Sequence, residues 1–215
     1  MTTIGNELGY LLGMLGIVAF AVTAVLAVIP KGIDLFGACV MGVITAVGGG
    51  TIRDLILDVP VFWAGNQTYI WVALGASAIA FYANRIIGRG KIYRLMLYLD
   101  ALGVALFAIQ AMQKVIDLDF GLPLAPIVLG VITAIGGGLL RDMLADSPTL
   151  LMSSEVYAIP ITLGCILYLL LATMLPDRTA GVGLLCMALI FAFRSAAIYR
   201  NLHVARWMTT RAESS

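Results

Sequence analysis

Residues 42–54 read GVITAVGGGTIRD, and residues 130–142 read GVITAIGGGLLRD. Ten of the thirteen positions are identical at a constant offset of 88 residues, and the match resumes at Asp58/Asp146 and Pro60/Pro148. Each copy leads from an apolar run into three glycines and then an Arg-Asp pair. Inside a bilayer, a helix-weakening triplet and a pair of charges are both unfavourable. Their duplication in an apolar chain points to a polar pathway with two-fold internal symmetry.

Composition sets the class. Of 215 residues, 61% are hydrophobic and 12% charged, and the mean hydropathy is +1.03. Soluble domains carry about 25% charged residues. The net charge of +1 gives no sign of a nucleic-acid partner. Cys39, Cys165 and Cys186 lie in apolar runs without metal-like spacing and read as packing residues. His203, the one histidine, falls in a polar tail and reads as solvated or interfacial. No nucleophile–base set, phosphate loop or metal-ligand spacing is present in the sequence, so no enzyme, fixed metal or cofactor is expected.

Seven apolar runs have the length to span about 30 Å of hydrocarbon as helices of roughly 20 residues. They are Leu8–Ile29, Ile33–Leu57, Gly65–Ile86, Leu95–Lys114, Leu122–Leu144, Val156–Leu175 and Ala180–Tyr199. Turn chemistry separates them, as at Pro30-Lys31-Gly32, Asp58-Val59-Pro60 and Pro176-Asp177. The fourth run is the weakest, because Asp100 interrupts it. Asp100 could pair with an arginine, serve the path or cap a helix end. Arg194, late in the seventh run, is expected to snorkel. Gly5, Gly9 and Gly13 form a smooth ridge expected to pack.

Lys31, Arg85, Arg89, Lys91, Arg94, Arg200, Arg206 and Arg211 fall on one side of these spans, against Lys114 and Arg178 on the other. The positive-inside rule then places the N-terminus outside and the C-terminus in the cytoplasm. Trp63, Tyr69 and Trp71 would mark one interface, and Tyr93, Tyr98, Tyr199 and Trp207 the other.

An offset of three helices is odd, so the second motif enters the membrane upside down relative to the first. Gly16–Ala21 resembles Gly103–Ala108 in the first helix of each half, at an offset of 87. The expected fold is an all-α integral membrane protein of seven transmembrane helices, an inverted repeat of two three-helix units plus a seventh helix. The whole chain, 1–215, forms one membrane domain: repeat 1 over 8–87, repeat 2 over 95–175, helix 7 over 180–200 and a cytoplasmic tail over 201–215.

Gly48, Gly49, Gly50 and Gly136, Gly137, Gly138 invite a kink or an unwound turn whose backbone groups face water or an ion. The alternative is close helix packing; duplication favours the pore. On that reading a leucine at Gly49 or Gly137 obstructs the path without unfolding the protein. Arg53 with Asp54, and Arg141 with Asp142, either close the helix ends as interfacial ion pairs or stand in the two vestibules of a water-filled path. Thr45 and Thr133 either line that path or bond back to their own helices.

GGGTIRDLIL and GGGLLRDML, each in the middle helix of a three-helix repeat followed by a seventh helix, resemble the bacterial branch of the TRIC (trimeric intracellular cation) channel family. That family has also been labelled a glycine-transporter-type domain. The resemblance covers about residues 8–200. It implies a homotrimer in the bacterial inner membrane, each protomer holding its own hydrophilic pore for monovalent cations, chiefly potassium. It also implies that the second and fifth helices bend at the triplets, and it carries Arg53, Asp54, Arg141 and Asp142 over as matching positions. Inverted repeats with broken helices also suit a secondary transporter of a small solute such as glycine. The absence of an acidic residue at the centre of a span favours the channel.

Overall fold

The apolar runs form helices, and the residues that stop them are polar residues able to turn the chain. The computed structural model describes residues 3–83, 89–152 and 156–203, with side chains for 7–83, 92–152 and 156–203. Eight helices lie among them: α1 (Thr3–Val28), α2 (Leu35–Ile56), α3 (Phe62–Gly65), α4 (Thr68–Ala83), α5 (Arg89–Asp117), α6 (Leu124–Leu144), α7 (Ala158–Met174) and α8 (Thr179–Tyr199). Five of them, α1, α2, α5, α6 and α8, are long and apolar enough to cross a membrane. The apolar helices α4 and α7 have 16 and 17 residues, about 24–26 Å at 1.5 Å per residue.

Several boundaries differ from those expected. The third apolar run, expected from Gly65, is helical only from Thr68, where α4 begins; the single turn α3 ends at Gly65, the expected start of the run. Helix α5 starts at Arg89 and is the longest of the eight, at 29 residues. Asp100 does not interrupt it, because its carboxylate is ion-paired. Arg85, Arg206, Arg211, Trp207 and most of the expected tail lie outside the described residues, as do the surroundings of Gly5 and the side chains of Arg89 and Lys91.

Helix ends follow from local hydrogen bonding. Asp34 caps α2, its Oδ1 accepting from the Gly37 amide at 2.7 Å, which satisfies one of the orphan donors of the first turn. At the other end of α2, Asp58 takes φ +53°. Its amide donates to Leu55 O and the Val59 amide to Asp54 O. The end of α6 repeats this pairing: Asp146 at φ +44°, its amide on Met143 O and the Ser147 amide on Asp142 O. Both are Schellman closures with an aspartate in the left-handed position that glycine usually fills.

Packing is reciprocal between the two halves. Helices α1, α2 and α4 pack on one another, as do α5, α6 and α7. Across the middle, α1 lies on α5 and α2 on α6, while α8 covers α5 and α7. The rings of Phe20 and Phe107 meet with centroids 5.3 Å apart. Each lies over the other helix's glycine: a Cβ at Gly16 would stand 2.9 Å from Phe107, and one at Gly103 would stand 2.7 Å from Phe20.

Candidate functional site

The site grows from the two glycine triplets. Helical structure runs unbroken through Gly48–Gly50 in α2 and Gly136–Gly138 in α6. Neither triplet unwinds, contrary to one expectation from sequence. At Gly49 and Gly137 the space left by the missing side chain is filled by the backbone of the partner helix. A Cβ on Gly49 would collide with the carbonyl oxygen of Thr133, and one on Gly137 with that of Thr45. The middle glycines therefore set the backbone-to-backbone approach of α2 and α6. A leucine there would force the helices apart rather than plug a space between them.

The flanking glycines face different neighbours. Gly48 faces Leu140 and Gly50 faces Phe62. Gly136 faces the Gly49 Cα, and Gly138 faces Asp100 and Tyr157, its notional Cβ standing 3.2 Å from Asp100 Oδ1 and 3.3 Å from the Tyr157 hydroxyl oxygen. The threonines diverge as well. Thr133 Oγ1 donates back to Leu129 O at 2.6 Å, whereas the buried Thr45 Oγ1 has no hydrogen-bond partner among the described residues.

One turn beyond each triplet lies a buried charge cluster. In the first, Asp54 Oδ1 accepts from Arg53 Nε at 2.8 Å and Lys114 Nζ at 2.7 Å, and Oδ2 accepts from the Phe62 amide at 2.9 Å. In the second, Asp142 Oδ1 accepts from Arg141 Nε at 2.8 Å, and Oδ2 accepts from the Leu150 amide at 3.1 Å. Each carboxylate thus binds its preceding arginine and an amide eight residues on. Each pins the following loop beneath its helix.

The third charge breaks the likeness. Arg141 Nη1 reaches Asp100 Oδ1 at 2.9 Å, so the second cluster holds one cation between two carboxylates. The first holds one carboxylate between two cations. Both extra charges, Asp100 and Lys114, come from α5. They stand about 21 Å apart along it, at 1.5 Å per residue. Lys31 ties the chain similarly elsewhere, its Nζ donating to the carbonyls of Ala145 and Asp146 at the end of α6. There it meets the negative end of the helix dipole.

Arg194 does not snorkel. Its side chain is wholly buried, with Nη1 on Val156 O at 2.9 Å and the guanidinium 4.5 Å from the Tyr157 ring centroid. Sequence reasoning left Asp100 open and overlooked Tyr157 and the contacts made by Lys31 and Lys114. The available signal was a lone carboxylate and a lone arginine inside otherwise apolar runs, since intramembrane charges need partners. The ridge expected in α1 is only partly used within the chain: Gly13 faces Gln110, whereas Gly9 meets nothing within 4 Å. Among the described residues no group of acidic, histidine or cysteine side chains could hold a metal ion.

An all-helical, multi-pass membrane protein with paired glycine-triplet helices and two buried charge clusters is a recognisable class. The sequence profile described as glycine transporter matches this chain twice, over residues 10–85 and 97–173. The chain belongs to that family. Among its relatives is the UPF0126 inner membrane protein YadS of Escherichia coli (strain K12), 39% identical over 160 residues that cover 74% of this chain and 76% of that one. A UPF0126 membrane protein of Deinococcus radiodurans is 32% identical over 198 residues, 91% of each chain.

Solved structures give the fold. The chain superimposes on the TRIC trimeric intracellular cation channel orthologue from Rhodobacter sphaeroides with a TM-score of 0.83 and 33% identity, covering 91% of this chain and 99% of that one. A prokaryotic TRIC channel crystallised in 0.5 M KCl gives a TM-score of 0.84 at 26% identity, over 91% and 98% of the two chains. This is the TRIC channel fold.

Proposed function

We propose that this protein is a passive channel for monovalent cations, chiefly potassium, working as a homotrimer in the bacterial inner membrane with one hydrophilic path in each protomer. The observation that carries this reading is the close likeness, over nine-tenths of the chain, to structures described as TRIC cation channels. In this reading α1, α2 and α4 form repeat 1 (8–87), and α5, α6 and α7 form repeat 2 (95–175). The two insert with opposite orientations, α8 follows as the seventh span, and the N-terminus is outside. Reciprocal contacts of Gly49 with Thr133 and of Gly137 with Thr45 support the pairing of the halves.

The path runs along the contact of α2 and α6. The triplets at Gly48–Gly50 and Gly136–Gly138, together with Thr45 and Thr133, form its narrow part. With no side chain between Gly49 and the Thr133 carbonyl or between Gly137 and that of Thr45, the two helices lie in contact in the described conformation and conduct when they bend apart there. The clusters of Arg53 with Asp54 and of Arg141 with Asp142 stand at opposite ends. Their carboxylates lower the barrier for cations, and their arginines hold the loops that follow. The excess of carboxylates in the second cluster makes that end the more favourable to a cation.

The test is reconstitution of the purified protein into planar bilayers with asymmetric potassium chloride. Discrete current steps reversing near the potassium equilibrium potential are expected. Silent bilayers together with saturable glycine uptake into liposomes would replace the channel by an alternating-access transporter. The family description and the paired central helices are compatible with that outcome.

A further inference from the structure

On the face of the protein where α5 begins and α8 ends lies a cavity of about 150 Å³, away from the α2–α6 contact. Its polar lining includes Arg94, Arg194, Asn201 and His203 alongside Tyr93, and Leu97 and Ile198 supply apolar wall. Arg194 is the informative residue. It is wholly buried, and only Nη1 is satisfied, by Val156 O. Among the described residues Nε and Nη2 have no hydrogen-bond partner, and neither Arg194 nor Arg94 makes an ion pair. A buried guanidinium with two idle donors is unfavourable unless an acceptor of opposite charge reaches it.

We infer that this cavity is an anion site that takes a phosphate ester, its phosphoryl oxygens bound between the guanidinium groups of Arg94 and Arg194. Two donors on one edge of Arg194 match two oxygens of a phosphate, a fit that an ammonium lacks. Exposed Arg94, from the first turns of α5, supplies the second positive charge from the solvent side. Asn201 and His203 add further polar groups at the rim, and the apolar wall suits the carbon skeleton of an ester. The Tyr157 ring beneath Arg194 fixes the guanidinium plane. The ester is either a phospholipid headgroup, since the cavity lies where two spans end, or a soluble phosphate monoester.

The test uses the full-length protein in a neutral detergent. Thermal unfolding and calorimetric titration are followed with glycerol 3-phosphate, dihexanoyl phosphatidic acid and uncharged dihexanoylglycerol. Saturable stabilisation by one or both phosphates, and none by dihexanoylglycerol, is expected. Binding of glycerol 3-phosphate identifies a soluble ester as sufficient; binding of the phosphatidic acid alone identifies the lipid headgroup. Arg94→Gln should weaken binding about tenfold or more while leaving the melting of the free protein unchanged, because its side chain is exposed. Absence of saturable binding by both phosphates, or an unaltered affinity in Arg94→Gln, would overturn the site.

Discussion

The two arginines of the repeated motif have the same local partners and different third partners, and that difference sets what each is worth. Arg141 is wholly buried between Asp100 and Asp142. Arg141→Met would leave two buried carboxylates facing each other without a cation, a loss of about 3–5 kcal/mol. Arg53→Met leaves Asp54 still bonded to Lys114, whose side chain is 31% exposed and can adapt. Thermal melts in detergent should therefore show a much larger drop for Arg141→Met than for Arg53→Met. Equal drops would mean that Asp100 adds nothing to the second cluster. The Arg-Asp pairs were legible in the sequence because they are adjacent and duplicated. The partners from α5 were not, since Asp100 lies 41 residues from Arg141 and Lys114 lies 60 from Asp54.

The duplicated glycines do one thing at the scale of a helix and another at the scale of a helix pair. Within a helix each weakens the element by roughly 1 kcal/mol relative to alanine. Between α2 and α6 the middle glycine of each triplet lets a backbone carbonyl of the other helix reach it. Gly49→Ala and Gly137→Ala are accordingly expected to destabilise by about 1–3 kcal/mol, because the atom struck is backbone and cannot rotate away. Gly75→Ala in α4 meets nothing within 4 Å and should raise the melting temperature slightly. A melting point in Gly49→Ala equal to that of the parent would refute the close approach. From the sequence alone, one glycine triplet suits a break or a tight contact equally, and its duplication favours the pore. Only the position of α6 decides for contact.

In the proposed arrangement of seven spans with inverted halves, Pro60 and Pro148, both exposed just beyond the ends of α2 and α6, fall on opposite sides of the membrane. Single cysteines there, with Cys39, Cys165 and Cys186 replaced by alanine, should label with an impermeant maleimide from opposite faces of oriented vesicles. Labelling of both from one face would overturn the inversion. A homotrimer requires a particle of three times the 22.8 kDa chain mass in native mass spectrometry. A monomer would remove the trimer and leave a path within one chain untouched. The exposed apolar residues of α8, such as Leu185, Leu189 and Phe193, face lipid or neighbouring copies in this arrangement.

The sequence by itself determined the membrane class, the helical content and the duplication, because apolar run length and a near-identical motif are properties of the chain read in order. It also located the ends of α2 and α6, where Asp58 and Asp146 sit in matching turns. Tertiary structure decided which glycines touch backbone, which charges join each Arg-Asp pair, and that Arg194 is buried with Tyr157 rather than extended to the surface. Those outcomes depend on which helix faces are brought together across tens of residues, and hydropathy along one chain carries no record of its neighbours in space.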